Sequence, residues 1–286
     1  MKSIITKLSN NKQKKFERYL RLLGISKRKP SINYLRKIVR AHMMRIPFEN
    51  ISKLFYWKTI SQNKLLSLRM FLDGIEKYNF GGTCYVNNYY FNQLLNYLGF
   101  KVKLCGADMD NPNVHIVNIV TIGKKEFLID VGYIAPFFEP IPGNLAKDYT
   151  VSLGADKFVL KPKDKRNRSR LIMYRNGKQV HGYLVNPELK KIKDFSEVIR
   201  SSFRKDALFL NSVLVVRYVS DISMVIHNLS YVESKGKTSK KSKLKSLKDL
   251  IFRIEKSTGI PSEISSIALR GVPIFSKVRL GTQAEM

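Results

Sequence analysis

The amino-acid sequence predicts an α+β protein in which helices and strands occupy separate blocks of the chain. Apolar residues recur at helical spacing through residues 1–99, whereas short runs rich in β-branched and aromatic residues fill residues 100–205. Both patterns occur in residues 206–286. The three blocks indicate a helical unit, a β unit built as a small barrel or sandwich, and a mixed α/β unit.

Helical periodicity in the first block comes with start and stop signals. The predicted helices cover residues 16–23, 32–46, 65–75 and 84–98. Ser31 is a suitable N-cap for the second helix because its side chain can accept a hydrogen bond from a free backbone amide. Gly24 and Gly99 can adopt the left-handed conformation that ends a helix, so they mark the ends of the first and the fourth.

Extended runs follow from Phe100 onward. The predicted strands cover residues 100–104, 114–122, 126–131, 157–160, 170–174 and 179–185. Gly123 provides a turn between the second and the third strand, and Asn176-Gly177 is a strong hairpin signal between the last two. This block is therefore expected to form an antiparallel β unit.

The last block combines both patterns. We expect a helix over residues 195–203, strands over 212–219 and 223–228, and a basic helix over 244–254. The lysine-rich run 234–243 has neither period, and it is the one segment that we expect to be a disordered linker.

Positive charge dominates the composition. Among 286 residues, 52 Lys and Arg stand against 22 Asp and Glu, a formal net charge of +30 at pH 7. Two dense runs, 161–170 and 234–248, indicate either an anionic partner or a solvated lysine-rich surface. The anionic partner could be nucleic acid, an anionic membrane or a phosphorylated cofactor. We favour the solvated surface, since no zinc finger, RNP motif or aromatic interleaving accompanies the lysines.

Two cysteines, Cys84 and Cys105, are too few for a disulfide framework or a four-cysteine zinc site, and no metal is expected. The chain has no apolar stretch of the roughly 20 residues that a membrane helix needs. Its basic start lacks the apolar segment of a secretory signal. We therefore expect a cytoplasmic protein without a membrane span.

Cys84 is the candidate nucleophile. It follows Gly81 and Gly82 and opens a predicted helix, where free amides and the positive end of the helix dipole favour a thiolate. The glycines let backbone amides approach a tetrahedral intermediate. The alternative is a small buried hydrophobe, which is the interpretation that we favour for Cys105 inside a strand.

His115 and Asp130 are the candidate base and its orienting partner. They lie on the two strands of the first predicted hairpin, roughly opposite each other at its open end. An aspartate there would fix the tautomer of the imidazole and stabilise its cation. His42, His181 and His227 have no matching acid and are expected to be structural.

Four motifs occur in order along the chain. They are Arg45-Ile46-Pro47-Phe48-Glu49-Asn50-Ile51, then Gly81-Gly82-Thr83-Cys84-Tyr85 leading to Leu98-Gly99-Phe100-Lys101-Val102, then His115, and last Asp130-Val131-Gly132-Tyr133. Together they resemble the arylamine N-acetyltransferase family. The resemblance covers about residues 10–145 through motifs, and the remainder follows the family's pattern only loosely, as in Ser201-Ser202-Phe203.

The resemblance implies a helical domain, a β-barrel domain and an α/β lid, around a catalytic core like that of cysteine proteases. The corresponding domains are 1–99, 100–205 and 206–286. It also implies acetyl-coenzyme A as co-substrate, bound in the cleft, and a small aromatic amine or hydrazine as acceptor in a ping-pong transfer. The family's catalytic triad maps onto Cys84 as nucleophile, His115 as base and Asp130 as orienting residue, and the patterns indicate the same residues independently.

The sequence departs from the family's pattern around the cysteine. Phe80 stands where the family usually has an arginine before the two glycines, and Val86 replaces a usual glutamate two residues after the cysteine. Since both charges are missing together, we expect apolar packing in place of an ion pair. Glu49 then needs another partner, for which Arg45 and Arg69 are candidates.

Three aromatic residues, Phe48, Tyr133 and Phe137, are expected near the ring of the acceptor, with ordinary core packing as the alternative. Ile134 begins a segment that replaces the family's usual glycine-rich turn, and this change should narrow or stiffen the acceptor pocket.

Other functions stay open at the level of sequence. A related acyltransferase or amide synthase could use a different acyl donor, and a papain-like peptidase or transglutaminase would share the Cys-His-Asp chemistry. A catalytically retired basic protein could instead bind nucleic acid or anionic lipid, with an affinity that falls steeply with salt. The sequence does not indicate an oligomeric state.

Overall fold

The computed structural model of the protein describes residues 13–275, which form helices and two antiparallel sheets. The helices are α1 (13–22), α2 (Ile32–Arg45), α3 (Ile51–Ile60), α4 (Leu68–Tyr78), α5 (Cys84–Tyr97), α6 (Ser196–Ser201), α7 (Leu208–Asn211), α8 (Leu247–Thr258) and α9 (Ser262–Leu269). The strands are β1 (Phe48–Glu49), β2 (Lys101–Asp108), β3 (His115–Ile122), β4 (Lys125–Ile129), β5 (Ile141–Pro142), β6 (Tyr149–Leu153), β7 (Asp156–Leu160), β8 (Ser169–Arg175), β9 (Lys178–Val185), β10 (Leu214–Val219), β11 (Ile222–His227), β12 (Ser230–Lys235) and β13 (Thr238–Lys243). Within residues 13–275, no helix is long and apolar enough to cross a bilayer.

Helices α1, α2, α4 and α5 share one apolar core, as their spacing predicts. Helix α2 begins after Ser31, whose hydroxyl accepts a hydrogen bond from the Tyr34 amide at 3.2 Å, and it ends before Pro47. Leu35 of α2 and Leu94 of α5 are both fully buried in the common core. The caps and the apolar faces together therefore fix where each helix starts and what it packs against.

The larger sheet has eight strands in the order β5-β4-β3-β2-β9-β8-β7-β6. Both predicted hairpins are confirmed: β3 and β4 turn at Gly123, and β8 and β9 turn at Asn176-Gly177. Side chains from distant strands, such as Val117 of β3 and Phe158 of β7, meet in one apolar cluster. The sheet thus curves around its own core in a barrel-like manner.

The smaller sheet joins early and late parts of the chain, in the order β1-β10-β11-β12-β13. The short strand β1 pairs with β10, with Phe48 opposite Val216. Helix α3 follows β1 directly, and its Leu54 is buried in the same cluster as Ile254 of α8 and Leu269 of α9. Residues 48–60 therefore lie against the C-terminal third of the chain.

The lysine-rich run 234–243 is part of this sheet. Strand β12 turns at Gly236, which has a φ of 55°, and continues as β13, with Lys241 opposite Val232. All residues of β13 are exposed. The expectation of a disordered linker is therefore wrong. The hydrogen bonds between β12 and β13 join backbone groups, so lysine side chains are compatible with this strand as long as their ammonium groups stay in water.

Candidate active site

The candidate nucleophile lies at the start of α5, where β1 and a glycine loop hold the backbone. The Glu49 amide of β1 donates to the Gly82 carbonyl at 3.1 Å. A Cβ on Gly81 would lie 1.8 Å from the backbone oxygen of Pro47, so this close approach requires glycine. Cys84 is thereby fixed as the first residue of α5, partly exposed, at the positive end of the helix dipole.

Glu49 is buried next to this loop, and backbone amides satisfy its carboxylate. Its two oxygens accept hydrogen bonds from the amides of Ser52, at 2.8 Å, and Gly81, at 3.0 Å. Burial raises the pKa of Glu49, while these hydrogen bonds oppose the increase. The expected partners are wrong, since Arg45 and Arg69 contact other residues. The backbone amides at the start of α3 and in the glycine loop thus take the place of the arginine that was expected to pair with Glu49.

Apolar packing occupies the positions where the chain departs from the family's pattern. Phe80 is buried in a cluster of aromatic rings, with centroids at 5.7, 5.8 and 5.2 Å from those of Phe55, Tyr56 and Tyr78. Val86 is buried in the core of the helices. Both side chains therefore pack against apolar neighbours, Phe80 in the cluster around α3 and Val86 in the core of the helices.

His115 and Asp130 meet in the interior. The His115 Nε2 atom donates to Asp130 Oδ2 at 2.7 Å, and the exposed fraction of each residue is 1%. The ladder of β3 and β4 pairs Asn118 with Ile129, so Asp130 lies just beyond the end of β4 rather than directly opposite His115. The side chains nevertheless touch, as the hairpin predicts.

Four donors surround the Asp130 carboxylate. Besides His115, they are the Asn88 amide at 2.8 Å, the Gly132 backbone amide at 3.0 Å and the Tyr183 hydroxyl at 2.8 Å. Burial would raise the pKa of Asp130, but the charge of His115 and these hydrogen bonds hold it below its ordinary value. Asp130 therefore stays ionised in a site without water contact.

Cys84 lies next to the pair formed by His115 and Asp130. Its Sγ lies 3.8 Å from the Val114 carbonyl oxygen, and it is close enough to His115 to affect the pKa of the imidazole. Burial lowers the pKa of His115, but Asp130 and Cys84 together raise it above its ordinary value. This arrangement favours an imidazolium next to the sulfur, and it can support acyl transfer through the cysteine.

The three predicted pocket residues lie in different surroundings. Tyr133 contacts the His115 ring edge to face at 5.6 Å, and its hydroxyl shares a hydrogen bond of 2.7 Å with His181 Nδ1. Phe48 belongs to the core of the helices, and Phe137 to that of the larger sheet. Tyr133 is thus beside the candidate site, while a role of Phe48 and Phe137 at the acceptor stays a prediction.

The remaining cysteine and histidines are placed largely as expected. Cys105 is buried in the core of the larger sheet, and burial raises its pKa to about 12. His42 is buried in the core of the helices and shares a hydrogen bond of 3.0 Å with the Tyr19 hydroxyl. Within residues 13–275, no group of three or more His, Cys, Asp and Glu side chains could hold a metal ion.

Three residues near the site are absent from the sequence predictions. Asn88 lies four residues after Cys84 on the same face of α5, and this helical spacing could have indicated it. Tyr183 lies on β9, and no spacing in the sequence relates it to the other residues of the site. Lys53, on α3, donates to Ser202 Oγ at 2.8 Å close to the site. A lone lysine in a lysine-rich chain gives no pattern to detect.

Comparison with curated proteins finds two partial relatives. The chain is 29% identical over 146 residues to an arylamine N-acetyltransferase of Gallus gallus, the pineal gland isozyme NAT-3. This alignment covers 48% of this chain and 49% of that protein. It is 28% identical over 134 residues to proansamycin X synthase of Amycolatopsis mediterranei, covering 44% of this chain and 51% of that protein. The alignments span about half the length of these relatives.

Solved structures share the fold over nearly the whole chain. The arylamine N-acetyltransferase of Mycobacterium abscessus superposes with a TM-score of 0.74 at 18% identity, covering 89% of this chain and 93% of that one. The enzyme of the same name from Nocardia farcinica gives 0.72 at 21% identity, covering 90% and 94%. The N-acetyltransferase family model matches residues 31–262. Because this match extends over most of the sequence, the chain belongs to the arylamine N-acetyltransferase family.

Proposed function

We propose that this chain transfers an acetyl group from acetyl-coenzyme A to an aromatic amine or hydrazine through a thioester on Cys84. The observation that carries the proposal is the hydrogen bond between His115 and Asp130 beside Cys84, the first residue of α5. Nucleophile, base and orienting carboxylate in this order are the parts that acyl transfer by a thiolate needs.

In the first half-reaction, the Cys84 sulfur attacks the carbonyl carbon of the acetyl thioester. The new carbon–sulfur bond forms, the bond to the coenzyme sulfur breaks, and His115 gives its proton to the departing thiolate. Asp130 keeps its charge throughout and holds the imidazole in position. Thr83 makes no side-chain cap at the start of α5, so the first amides of the helix are free to stabilise the oxyanion.

In the second half-reaction, the acceptor nitrogen attacks the acetyl carbon on Cys84. The carbon–sulfur bond breaks, the sulfur leaves as a thiolate, and His115 accepts the proton that the nitrogen loses. The same histidine therefore serves both halves, and the enzyme returns to its starting protonation state.

The domain layout belongs to the same proposal. A helical domain of 1–99 supplies the nucleophile, a barrel domain of 100–205 supplies His115 and Asp130, and an α/β lid of 206–286 covers a cleft for acetyl-coenzyme A. The arrangement resembles a cysteine-protease core. The two free cysteines agree with a reducing compartment, which we take to be the cytoplasm.

The experiment that tests the proposal is the intact mass of the protein after mixing with acetyl-coenzyme A alone. We expect the wild type to gain one acetyl group and the Cys84→Ser variant to gain none, because the alcohol is a far poorer nucleophile at neutral pH. Cys105→Ser is the matched control and should still be acetylated, since Cys105 is buried in the larger sheet.

Addition of an aromatic amine should then remove the acetyl group and yield the amide. Acetylation of the Cys84→Ser variant would contradict the role of Cys84. Absence of acetylation in the wild type would contradict acetyl-coenzyme A as donor. Longer acyl-coenzyme A thioesters would then test the alternative of a related acyltransferase or amide synthase.

A further inference from the structure

Lys53 brings a positive charge to the buried cluster against which Cys84 also packs. It lies on α3, and its ammonium group donates to Ser202 Oγ at 2.8 Å, just after α6. The same nitrogen lies 4.0 Å from the centroid of the Phe203 ring, in a cation–π contact. Phe203 and Cys84 both pack against the buried cluster that contains Phe195. Segments from α3, α5 and the end of α6 thus meet beside this cluster.

This ammonium group has no acidic partner among residues 13–275. The half-buried Lys163, by contrast, forms an ion pair of 2.9 Å with Glu126. Burial lowers the pKa of Lys53 to about 8, and the charge of Cys84 opposes this decrease. A desolvated cation is costly unless an anion or several hydrogen bonds compensate it, and a neutral hydroxyl and an aromatic face compensate it only in part.

Lys53 is also accessible to a ligand. Both Lys53 and Cys84 are half-buried rather than enclosed, so each side chain keeps a surface that a ligand can contact. Phe203 offers a flat apolar surface directly beneath that charge. An aromatic ring that carries an anionic group matches both features.

We propose that Lys53 is a specificity-determining residue that receives the carboxylate of an aromatic acceptor amine. This inference rests on the proposed function, because it names the acceptor of the same site. The phosphates of coenzyme A are the other source of negative charge. They are separated from the thioester by the long pantetheine arm, so an acceptor with its carboxylate on the reacting ring suits a cation close to Cys84 better.

The test compares 4-aminobenzoate with its methyl ester as acceptors, because the ester keeps the ring and the amine but removes the charge. For Lys53→Met, we expect the ratio of the two kcat/KM values, acid over ester, to fall about tenfold, as the loss of one charge-assisted hydrogen bond predicts. Lys53→Arg should keep the ratio within about twofold, since it retains the charge.

Lys58→Met is the matched control. It removes the same charge from the same helix, but the Lys58 ammonium donates to the Arg270 carbonyl rather than facing the site. The acid-to-ester ratio should stay at the wild-type value. Equal ratios in wild type and Lys53→Met would overturn the proposal. A selective loss of acetyl-coenzyme A turnover against acetyl-pantetheine in Lys53→Met would assign Lys53 to the donor's phosphates and overturn it as well.

A second measurement separates this inference from the proposed function. Benzoate and benzamide are compared as protectants of Cys84 against iodoacetamide, which requires no acetyl transfer. We expect benzoate to protect the wild type at lower concentration than benzamide, and Lys53→Met to lose that advantage. If acetylation fails while benzoate protection persists, the proposed function is wrong, and Lys53 still binds an aromatic carboxylate beside Cys84. If acetylation proceeds without any preference for benzoate, only the Lys53 inference is wrong.

Discussion

A carboxylate without access to water must find all its hydrogen bonds within the protein, and Asp130 finds them on four residues. His115 and Tyr183 donate to one oxygen, and Asn88 and Gly132 donate to the other. The arrangement leaves Asp130 no alternative orientation. The position of the His115 ring is therefore fixed by groups from α5, β9 and the end of β4, before any substrate is present.

Substitution of Asp130 by Asn should lower the rate of thioester formation by about 10³–10⁴-fold, because a neutral amide neither stabilises the imidazolium nor fixes its tautomer. The measurement is the rate of Cys84 acetylation by rapid mixing and intact mass. Tyr183→Phe is the control: it removes one donor to Asp130 and leaves the carboxylate, so its loss should be about tenfold. A rate within threefold of wild type in Asp130→Asn would show that another group orients His115.

His42 should make the protein less stable as pH falls. Burial lowers the pKa of His42 to about 3 from an ordinary value of 6.5, so the folded state binds this proton less readily than the unfolded chain. Its contribution to stability is fully present above pH 6.5 and is lost as pH falls toward 3. As pH falls from 6.5 to 4, we expect the uptake of this proton by the unfolded chain to lower the free energy of unfolding by about 2–3 kcal/mol.

Urea unfolding of His42→Phe across this pH range checks that expectation, since the variant should lose this part of the pH dependence. Tyr19→Phe removes the hydrogen bond to His42 but keeps the imidazole, so it should keep the wild-type slope. Identical slopes in wild type and His42→Phe would contradict the assignment.

At the scale of elements, Gly132 decides how closely the end of β4 approaches α5. A Cβ at this position would lie 2.6 Å from Asn88 Nδ2 and 2.9 Å from the Cα of Cys84. Gly132→Ala should therefore displace the start of α5 from Asp130 and slow thioester formation by at least about tenfold, because small displacements at a reacting centre are costly. The same rapid-mixing mass measurement provides the rate.

Gly177→Ala is the control for that variant. Gly177 has a φ of 77° and no atom within 4 Å of an added Cβ, so alanine strains a distant hairpin without touching the site. It should lower thermal stability and leave the rate unchanged. A Gly132→Ala variant that reacts at the wild-type rate would mean that α5 can adjust freely.

Elements with a strong local signal could be predicted from the sequence. Ser31 and Gly99 mark helix ends, and Asn176-Gly177 marks a hairpin, because the backbone itself requires those residue types. Helix α3 could not be predicted, since its apolar residues surround the axis instead of forming one stripe, and Ile51 and Leu54 are buried in a cluster with residues of α8 and α9. Strand β13 has lysines where a strand usually alternates, and only its pairing with β12 identifies it.

In the candidate site too, residues with a local sequence signal could be predicted, and residues placed by tertiary contacts could not. Cys84, His115 and Asp130 could be identified because a helix start and a hairpin turn place them. The partners that hold them depend on tertiary contacts between segments far apart in the sequence. Tyr183 reaches Asp130 from β9, and Lys53 reaches Ser202 from α3, so no local pattern indicates either contact.

For the whole molecule, strand β13 carries part of the net charge of +30, and we expect the site not to need it. The lysines of β13 are exposed at a sheet edge, where salt and water screen them. Replacement of Lys240, Lys241 and Lys243 by Gln should leave turnover of a small amine within about twofold of wild type. Steady-state kinetics at low salt, with acetyl-coenzyme A as the varied substrate, measures this.

A matched control changes Lys165 and Arg166, which belong to the other basic run and are also exposed. Its KM for acetyl-coenzyme A should likewise stay near the wild-type value. A several-fold rise in that KM for the β13 variant alone would mean that this strand attracts the phosphates of the donor and is more than a solvated surface.

The pairing of β1 with β10 also sets an order of events during biosynthesis. The loop that positions Cys84 is hydrogen-bonded to β1. The partner of β1 in the sheet is β10, which follows it by more than one hundred and fifty residues. While the ribosome is still making the barrel strands, β10 has not been synthesised, so β1 lacks its partner strand. We therefore expect the start of α5 to reach its final position only when the last third of the protein has emerged.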